Sequence, residues 1–288
     1  MKLSLSLLVA TLGVLAALLA QTAPPVYFNH VTIYVPPAAY TALLQSDFLR
    51  NEFSGSHEQT VQRNGGAWSY TGIFLYGQHT YFEIFKAGPQ MGSSGAVMVS
   101  PGQLLFNMWI DDRRQLPLFK DRVAEERGSA RQIVTTRDAK NQPAYDSVSP
   151  VGVITPSPGV LSYTVVKGYY PDGQTREKRF EDRYRPERYL HDITGLTLTV
   201  NEAERDLLLR DFRAYSYHIE ADGEKRVASG PEVVFTLTPS KSGEPRTLVV
   251  DLSMNRPITA NRVIKFENTS ELHIQASVAK WIFTFPSE

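Results

Sequence analysis

The sequence predicts an α+β protein whose fold repeats a unit of one strand, one helix and three further strands. Residues 26–87 contain one helical segment among four strand-like runs, in the order β-α-β-β-β. The same order recurs between residues 195 and 252. The two helices also have similar sequences, LLQSDF from residue 43 and LLRDF from residue 208. Recurrence in a fixed order at this scale is typical of repeated structural units.

The elements of the first unit follow from proline positions, periodicity and turn residues. Pro36 ends a β-rich run, and Pro37 suits the first turn of a helix. Apolar residues then recur at helical spacing between Tyr40 and Phe48. Asn-Gly-Gly from residue 64 marks a turn before two further strand-like runs. We therefore expect a strand at 26–35, a helix at 37–51, an extended segment at 53–63 and a hairpin of strands at 68–76 and 79–86.

The later elements are predicted in the same way. Asn201 and Glu204 form a capping box that begins the second helix, after a strand at 195–200 and before strands at 215–221, 232–237 and 247–252. Residues 191–285 would form this C-terminal unit with extra strands. A degenerate middle unit is expected at 103–170, with a helix at 116–127 and strands at 103–110, 131–137 and 161–169. Residues 87–101 would be a connection over a cleft, and 171–190 a charged, solvated linker.

Composition limits the classes of partner. Thirty basic residues balance thirty acidic ones, so no overall field favours nucleic acid or an anionic membrane. The 42% hydrophobic content suits a well-filled core. The chain has no cysteine, so its stability must come from that core and not from disulfides. A small-molecule ligand is the partner that we expect.

Residues 1–23 are predicted to be a secretory signal. Lys2 precedes an apolar run at 3–20, and Ala20, Ala23 and Pro24 follow it. An uncleaved anchor helix is the alternative, because about 18 apolar residues can just span a bilayer. No strongly charged segment follows to stop transfer. We therefore expect cleavage near Ala20 or Ala23 and a secreted or periplasmic bacterial protein that leaves the membrane.

Two residues of the first unit carry its candidate chemistry: His30 opens the first strand, and Glu83 lies in the middle of the last. Both sides of the strand around Glu83 are apolar, so we expect burial on both faces. A buried carboxylate must pair with a base, accept several hydrogen bonds or bind a metal. If His30 and Glu83 converge on one face, they can share a divalent metal. The alternatives are an Arg or Lys partner for Glu83 and a structural role for His30.

Sequence motifs around this pair resemble those of a known superfamily. The motifs are FNHVTIYV at 28–35, YTG at 70–72, YG at 76–77 and TYFE at 80–83. They resemble the glyoxalase/bleomycin-resistance-like modules of the vicinal oxygen chelate superfamily. They are more closely similar to an uncharacterised bacterial family with an Asn-His-Val start and a Thr-Tyr-Phe-Glu ending. The resemblance covers 26–87 well and 193–252 only in plan. It implies curved mixed sheets that form a cup, with His30 and Glu83 as metal ligands.

A complete metal site needs further ligands, which the resemblance assigns to a partner unit. Aligning the second unit places Gly195 opposite His30 and Asp251 opposite Glu83. This unit therefore lacks the histidine of its first strand. Asp251 or His191 would complete the set, and His191 would need a different register to do so. Imidazole and carboxylate ligands suit Zn, Mn, Fe(II) or Ni.

Other residues allow two interpretations. Trp68, Tyr70, Phe74 and Tyr76 alternate along one face of a strand, which suits core packing and also a ligand-lined cup. The remaining histidines, including His79, lack a partner pattern and are expected to be structural.

Three functions are consistent with these patterns. The first is a secreted metal-dependent lyase, isomerase or dioxygenase-like enzyme, in which the metal stabilises an oxyanionic state of a small oxygenated substrate. The second is a non-catalytic protein that binds a small molecule in a degenerate cup, as Gly195 suggests. The third is an envelope protein that binds a partner.

Overall fold

The structure is a computed structural model that describes residues 25–55, 58–92, 95–151, 164–169 and 174–286. The predicted signal at 1–23 lies outside the described residues, and so do residues 152–163, which include the start of the strand expected at 161–169. Among the described residues, no helix has both the length and the apolar character that a membrane span requires.

The described residues form four α-helices and eighteen strands, together with a π-helical turn at Leu49–Phe53 and 3-10 turns at Asn64–Gly66 and Arg113–Gln115. The helices are α1 (Pro37–Gln45), α2 (Leu116–Arg127), α3 (Arg176–Phe180) and α4 (Glu202–Ala214). The strands are β1 (Tyr27–Val35), β2 (Glu58–Arg63), β3 (Trp68–Tyr76), β4 (Tyr81–Lys86), β5 (Gly88–Gly92), β6 (Gly95–Val99), β7 (Leu104–Trp109), β8 (Arg131–Arg137), β9 (Pro143–Pro150), β10 (Thr164–Tyr169), β11 (Leu190–Val200), β12 (His218–Asp222), β13 (Lys225–Ser229), β14 (Val234–Pro239), β15 (Arg246–Met254), β16 (Arg262–Phe266), β17 (Ser270–Gln275) and β18 (Val278–Phe285).

Most strands belong to two eight-stranded mixed sheets, and the α+β class is therefore confirmed. The first sheet has the order β2-β3-β4-β1-β7-β10-β9-β8, and the second has the order β12-β13-β14-β11-β15-β18-β17-β16. In the first sheet, β1 is parallel to β4 and antiparallel to β7, and β7 is parallel to β10. Helices α1 and α2 supply the long crossovers that such parallel pairs need.

The second sheet has one such crossover. Strand β11 is parallel to β14, with α4 between them in the chain, but β15 and β18 are antiparallel. Residues 255–261, between β15 and β16, contain no helix. A short connection reverses the chain direction, whereas a helical crossover returns the chain to the end where it started. The last four strands are therefore all antiparallel to their neighbours.

The predicted alignment of Asp251 with Glu83 is wrong. Glu83 lies on β4, the parallel neighbour of β1, and pairs with Thr32. The parallel neighbour of β11 is β14, whereas Asp251 lies on β15 and pairs with Gly195. The sequence reading missed a strand, because a tight turn with Gly223 at φ 59° divides the segment after α4 into β12 and β13.

Two connecting segments also differ from expectation. Residues 87–101 contain the hairpin of β5 and β6, not an irregular connection. The predicted linker at 171–190 contains α3, in which Arg176 and Phe180 are buried. Its charges are not simply solvated, because Arg176 pairs with Glu232 and the guanidiniums of Arg179 and Arg183 lie over tyrosine rings of the first sheet. The predicted first helix is interrupted at Ser46, which is extended, and a π-helical turn follows at Leu49–Phe53.

The two sheets share one apolar core. Phe28 of the first sheet meets Phe235 of the second edge to face, with ring centres 5.6 Å apart, and Phe82 lies 5.2 Å from Trp281. The opposite face of the first sheet carries a separate aromatic cluster, which includes Tyr76, Tyr81 and Phe180. The central strands of this sheet are thus buried on both faces, as expected for the strand of Glu83.

A buried ion pair joins α2 to α4. Asp211 is 1% exposed, and its two carboxylate oxygens accept hydrogen bonds from Nε and Nη2 of Arg127. Bidentate geometry of this kind satisfies both partners at once. Removing one partner would leave the other charge buried and uncompensated.

We expect Asp211→Ala to lower the free energy of unfolding by about 3–5 kcal/mol, the usual cost of removing one member of a buried pair. Asp206→Ala is the control, because Asp206 lies on the same helix and its side chain is 55% exposed. It should cost less than about 1 kcal/mol. Urea denaturation measures both variants, and equal small losses would contradict a stabilising role for the pair.

Candidate functional site

His30 and Glu83 meet in the middle of the first sheet. In the parallel pairing of β1 and β4, His30 is opposite Tyr81 and Thr32 is opposite Glu83. All four side chains therefore point to one face. His30 Nε2 lies 3.4 Å from Glu83 Oε2, and the His30 side chain is 1% exposed. A β-bulge between Phe28 and His30 adjusts the direction of the histidine, a common device beside functional sites.

Hydroxyl groups hold the Glu83 carboxylate. Thr32 Oγ1 donates to Oε2 at 3.0 Å, and the Tyr81 hydroxyl donates to Oε1 at 3.2 Å. The other ring nitrogen of His30, Nδ1, lies 2.9 Å from Asn29 Oδ1. The rings of His30 and Tyr81 are 4.2 Å apart. His30 Nε2 is thus placed to donate a proton to Glu83 or, when unprotonated, to share a cation with it.

A cavity of about 310 Å³ opens above Glu83. Its wall combines aromatic side chains from β3, β4, β9 and β10 with arginines from β2 and from residues 176–183, which we call the α3 segment. The residues that line it are Val61, Arg63, Tyr70, Phe74, Tyr76, Tyr81, Glu83, Asp138, Pro143, Ala144, Tyr145, Tyr169, Gln174, Arg179 and Arg183. Of the aromatic residues that alternate along β3, Tyr70, Phe74 and Tyr76 line this cavity, as the ligand-lined interpretation expects.

Each arginine of the cavity contacts a tyrosine. Arg183 Nη1 donates to the Tyr76 hydroxyl at 2.6 Å, and its guanidinium lies 5.1 Å from the centre of that ring. Arg63 Nη2 donates to the Tyr70 hydroxyl at 3.3 Å. The Arg179 guanidinium lies 4.8 Å from the centre of the Tyr169 ring. Such cation–π contacts fix the orientation of a guanidinium without neutralising its charge.

The hydroxyls of Tyr70, Tyr76 and Tyr81 in the cavity wall stay protonated. Burial raises the pKa of Tyr81 well above its ordinary value of 10, and the charge of Glu83 raises it further. The same two causes raise the pKa of Tyr70. Burial also raises the pKa of Tyr76, against the opposing effect of Arg183. These groups are therefore neutral near pH 7 and available as hydrogen-bond donors.

Asp251 and His191 lie on strands of the second sheet. Asp251 accepts a hydrogen bond from Lys280 Nζ on the neighbouring strand β18. His191 Nδ1 lies 3.2 Å from Ser253 Oγ. The structure brings His30 and Glu83 together, but among the described residues no three His, Cys, Asp or Glu side chains are grouped to hold a metal. The four-residue ligand set expected from sequence is therefore not assembled there.

Sequence reasoning missed the arginines of the cavity. Arg179 and Arg183 lie at 171–190, in the segment that the sequence predicts to be a solvated linker. The signal that could have found them is their spacing of four residues around the apolar Phe180, which places both on one side of a helical turn. Phe180 packs against Tyr81, with ring centres 5.3 Å apart.

Asp192 of the second sheet fixes the turn that precedes β4. Its Oδ1 accepts hydrogen bonds from the backbone N–H groups of His79 and Thr80, both at 2.8 Å. Its Oδ2 lies 3.1 Å from His79 Nδ1, and His79 Nε2 lies 3.3 Å from Glu177 at the start of α3. Gly77 is required here, because a Cβ would lie 2.3 Å from the carbonyl oxygen of His191. The turn thus connects both sheets and α3.

One protein family and several solved structures are similar to this chain. Residues 28–148 match a family described as "Family of unknown function (DUF5829)". This stretch runs from β1 into β9 and includes His30 and Glu83. No curated protein matches the chain.

Solved structures give distant similarities. A hypothetical protein from Staphylococcus aureus is 9% identical, with 83% of this chain and 95% of that chain covered and a TM-score of 0.48. A xylose isomerase-like TIM barrel/4-hydroxyphenylpyruvate dioxygenase fusion protein is 11% identical, with coverage of 76% and 33% and a TM-score of 0.42. A triple mutant of 4-hydroxymandelate synthase from Streptomyces coelicolor is 15% identical, with coverage of 75% and 63% and a TM-score of 0.38.

The His79 turn makes stability depend on pH. The hydrogen bond to Asp192 is the largest cause that raises the pKa of His79 above 6.5; the charges of Asp192 and Glu232 add to it, and burial and Arg176 oppose it. A histidine with a raised pKa in the folded state stabilises the fold fully below its unfolded pKa. That contribution is lost as the pH rises through the folded pKa.

We therefore expect the difference in unfolding free energy between wild type and His79→Gln to be largest at about pH 5.5 and to shrink by about pH 8.5. Urea unfolding at constant ionic strength measures it. His218→Gln is the control, since His218 and its partner Glu220 are 71% and 67% exposed and contribute little. A difference for His79→Gln that stays constant with pH would contradict the role of this histidine.

Proposed function

We propose that this protein binds a small oxygenated molecule in the cavity of the first sheet, above Glu83. The observation that carries the proposal is the cavity of about 310 Å³, which has a carboxylate at its floor and protonated tyrosine hydroxyls along its wall. A few placed polar groups within aromatic walls are typical of small-molecule sites.

In this proposal the chain consists of glyoxalase-like units. The groups β1–β4, β7–β10 and β11–β14 each have a helix after the first strand and a parallel first and last strand. The group β15–β18 is a unit that lacks the helix. The proposal also includes export of the protein, with residues 1–23 as the secretory signal. The units supply the curved surface, and only the first sheet combines it with the His30–Glu83 pair.

Glu83 and its neighbours can do simple chemistry on a bound molecule. The carboxylate can accept a proton from an acidic C–H or O–H group that lies above it. The neutral hydroxyls of Tyr70 and Tyr76 can donate hydrogen bonds to ligand oxygens. Thr32 and Tyr81 already hold Glu83 in one orientation, so little reorganisation is needed. This arrangement serves specific binding and also an isomerase- or lyase-type proton transfer.

Blocking the cavity tests the site. Ala144 lines the cavity, and Ala144→Trp should fill part of it with an indole ring. Compounds from a library of small hydroxy and oxo compounds that raise the wild-type melting temperature should bind this variant at least about tenfold more weakly. Ala139→Trp, at an exposed position before β9, should bind them like wild type. Equal binding to both variants would place the ligand elsewhere.

A metal-dependent enzyme is the second candidate. The 3.4 Å between His30 Nε2 and Glu83 Oε2 suits two ligands that each lie about 2.0–2.2 Å from one ion. These two donors fit Zn, Mn, Fe(II) or Ni. Within the described residues no third protein ligand joins them, so water and substrate oxygens would fill the remaining positions. A bound ion would act as a Lewis acid on the substrate.

Metal analysis of the purified protein tests this candidate. Wild type should retain about one divalent ion per chain, and His30→Ala and Glu83→Gln should each lose most of it, because few ligands remain. His218→Ala is the matched histidine control and should keep the wild-type content. Circular dichroism verifies that each variant is folded. Metal content that is the same in all four proteins would reject His30 and Glu83 as ligands.

A further inference from the structure

The cavity of the first sheet holds more positive than negative charge. Arg63, Arg179 and Arg183 line it, and within the described part of the chain none of the three forms an ion pair with a carboxylate. The lining carboxylates are Glu83 and Asp138. Asp138 Oδ1 already accepts hydrogen bonds from the backbone of the turn that follows it. Three cations thus face two carboxylates.

The protein partners of these arginines do not compensate their charge. Tyr70 and Tyr76, which contact Arg63 and Arg183, are neutral at physiological pH, because burial raises the pKa of both hydroxyls. Among the described residues, the buried Nε atoms of Arg63 and Arg179 also have no hydrogen-bond acceptor. Uncompensated cations in a partly buried site favour a bound anion, because low polarity strengthens the attraction.

We propose that the molecule bound in this cavity is a small organic acid whose carboxylate or phosphate group lies against Arg179 and Arg183. The inference rests on the proposed function of the cavity and adds the class of ligand. Both anionic groups offer oxygens that match the planar N–H edge of a guanidinium. The carbon skeleton of the acid then lies along the tyrosine rings toward Glu83.

Arg179 and Arg183 are held in position before any ligand arrives. Each lies over a tyrosine ring, and Arg183 also donates one hydrogen bond to the Tyr76 hydroxyl. A guanidinium has five N–H groups, so each arginine keeps further donors for an anion. The α3 segment that carries them is anchored by Arg176, whose Nη1 donates to Glu232 at 2.6 Å. Phe180 anchors the same segment by packing on Tyr76 and Tyr81. Such preorganisation reduces the entropy lost on binding.

Isothermal titration calorimetry with matched pairs of compounds tests the inference. The pairs are glycolate and glycolamide, phenylacetate and phenylacetamide, and phenyl phosphate and phenol. We expect at least one acid to bind at least about tenfold more tightly than its neutral partner. Whether the carboxylate or the phosphate binds more tightly identifies the anionic group.

Variants of the α3 segment connect this preference to the arginines. Arg179→Gln and Arg183→Gln should each weaken acid binding by about ten- to hundredfold and leave amide binding unchanged. Arg179→Lys should recover part of the affinity, because it keeps the charge and loses the planar geometry. Lys178→Gln removes one positive charge from the exposed side of the same helix and should bind the acid like wild type. Melting temperatures verify folding.

The outcomes separate this inference from the function on which it rests. If the neutral compounds bind as tightly as their acids, or if the arginine variants keep the preference for acids, the acid assignment is wrong. The cavity then remains a binding site that the Ala144→Trp test can still support. If none of these six compounds and no member of the wider library binds, both proposals fail together.

Discussion

A carboxylate placed between strands that are buried on both faces is the constraint around which the first sheet is arranged. Glu83 cannot lie there unless its negative charge is stabilised. The parallel register of β1 and β4 meets that need by placing Thr32, Tyr81 and His30 beside it. Aromatic rings surround the carboxylate on the cavity side, and burial keeps the hydroxyls of Tyr70, Tyr76 and Tyr81 protonated.

The second sheet shows what the same strand order becomes without that carboxylate. Gly195 pairs with Asp251 across β11 and β15, in the place that His30 and Asn107 occupy in the first sheet. A Cβ at Gly195 would lie 3.1 Å from Asp251 Oδ2, so a larger side chain there must displace the aspartate. Asp251 instead bonds to Lys280 on the adjacent strand. The second sheet contacts the first through the shared apolar core and through the hydrogen bonds of Asp192.

Local sequence patterns predicted most of the helices and strands, and the meeting of His30 with Glu83, because those features depend on short-range periodicity and parity. These patterns did not predict the features that depend on long-range contacts. The hairpin around Gly223 added a strand and moved Asp251 out of register with Glu83. The sequence predicts that Arg179 and Arg183 are solvated, because only the folded structure shows the tyrosines over which they lie. Asp192 gave no local signal, since its partners lie 112 and 113 residues away.

The different connections within the two sheets also affect the order in which the chain can fold. Strands β16, β17 and β18 pair with sequence neighbours, so their contacts are local and can form early. The cavity depends on contacts of much longer range, between β1 and β4, between β7 and β10, and from α3 and Asp192 back to the turn at His79. During synthesis the residues around Glu83 leave the ribosome long before Arg183 and Asp192 do. The first part of the chain to be made therefore contains a site that only the later part can complete.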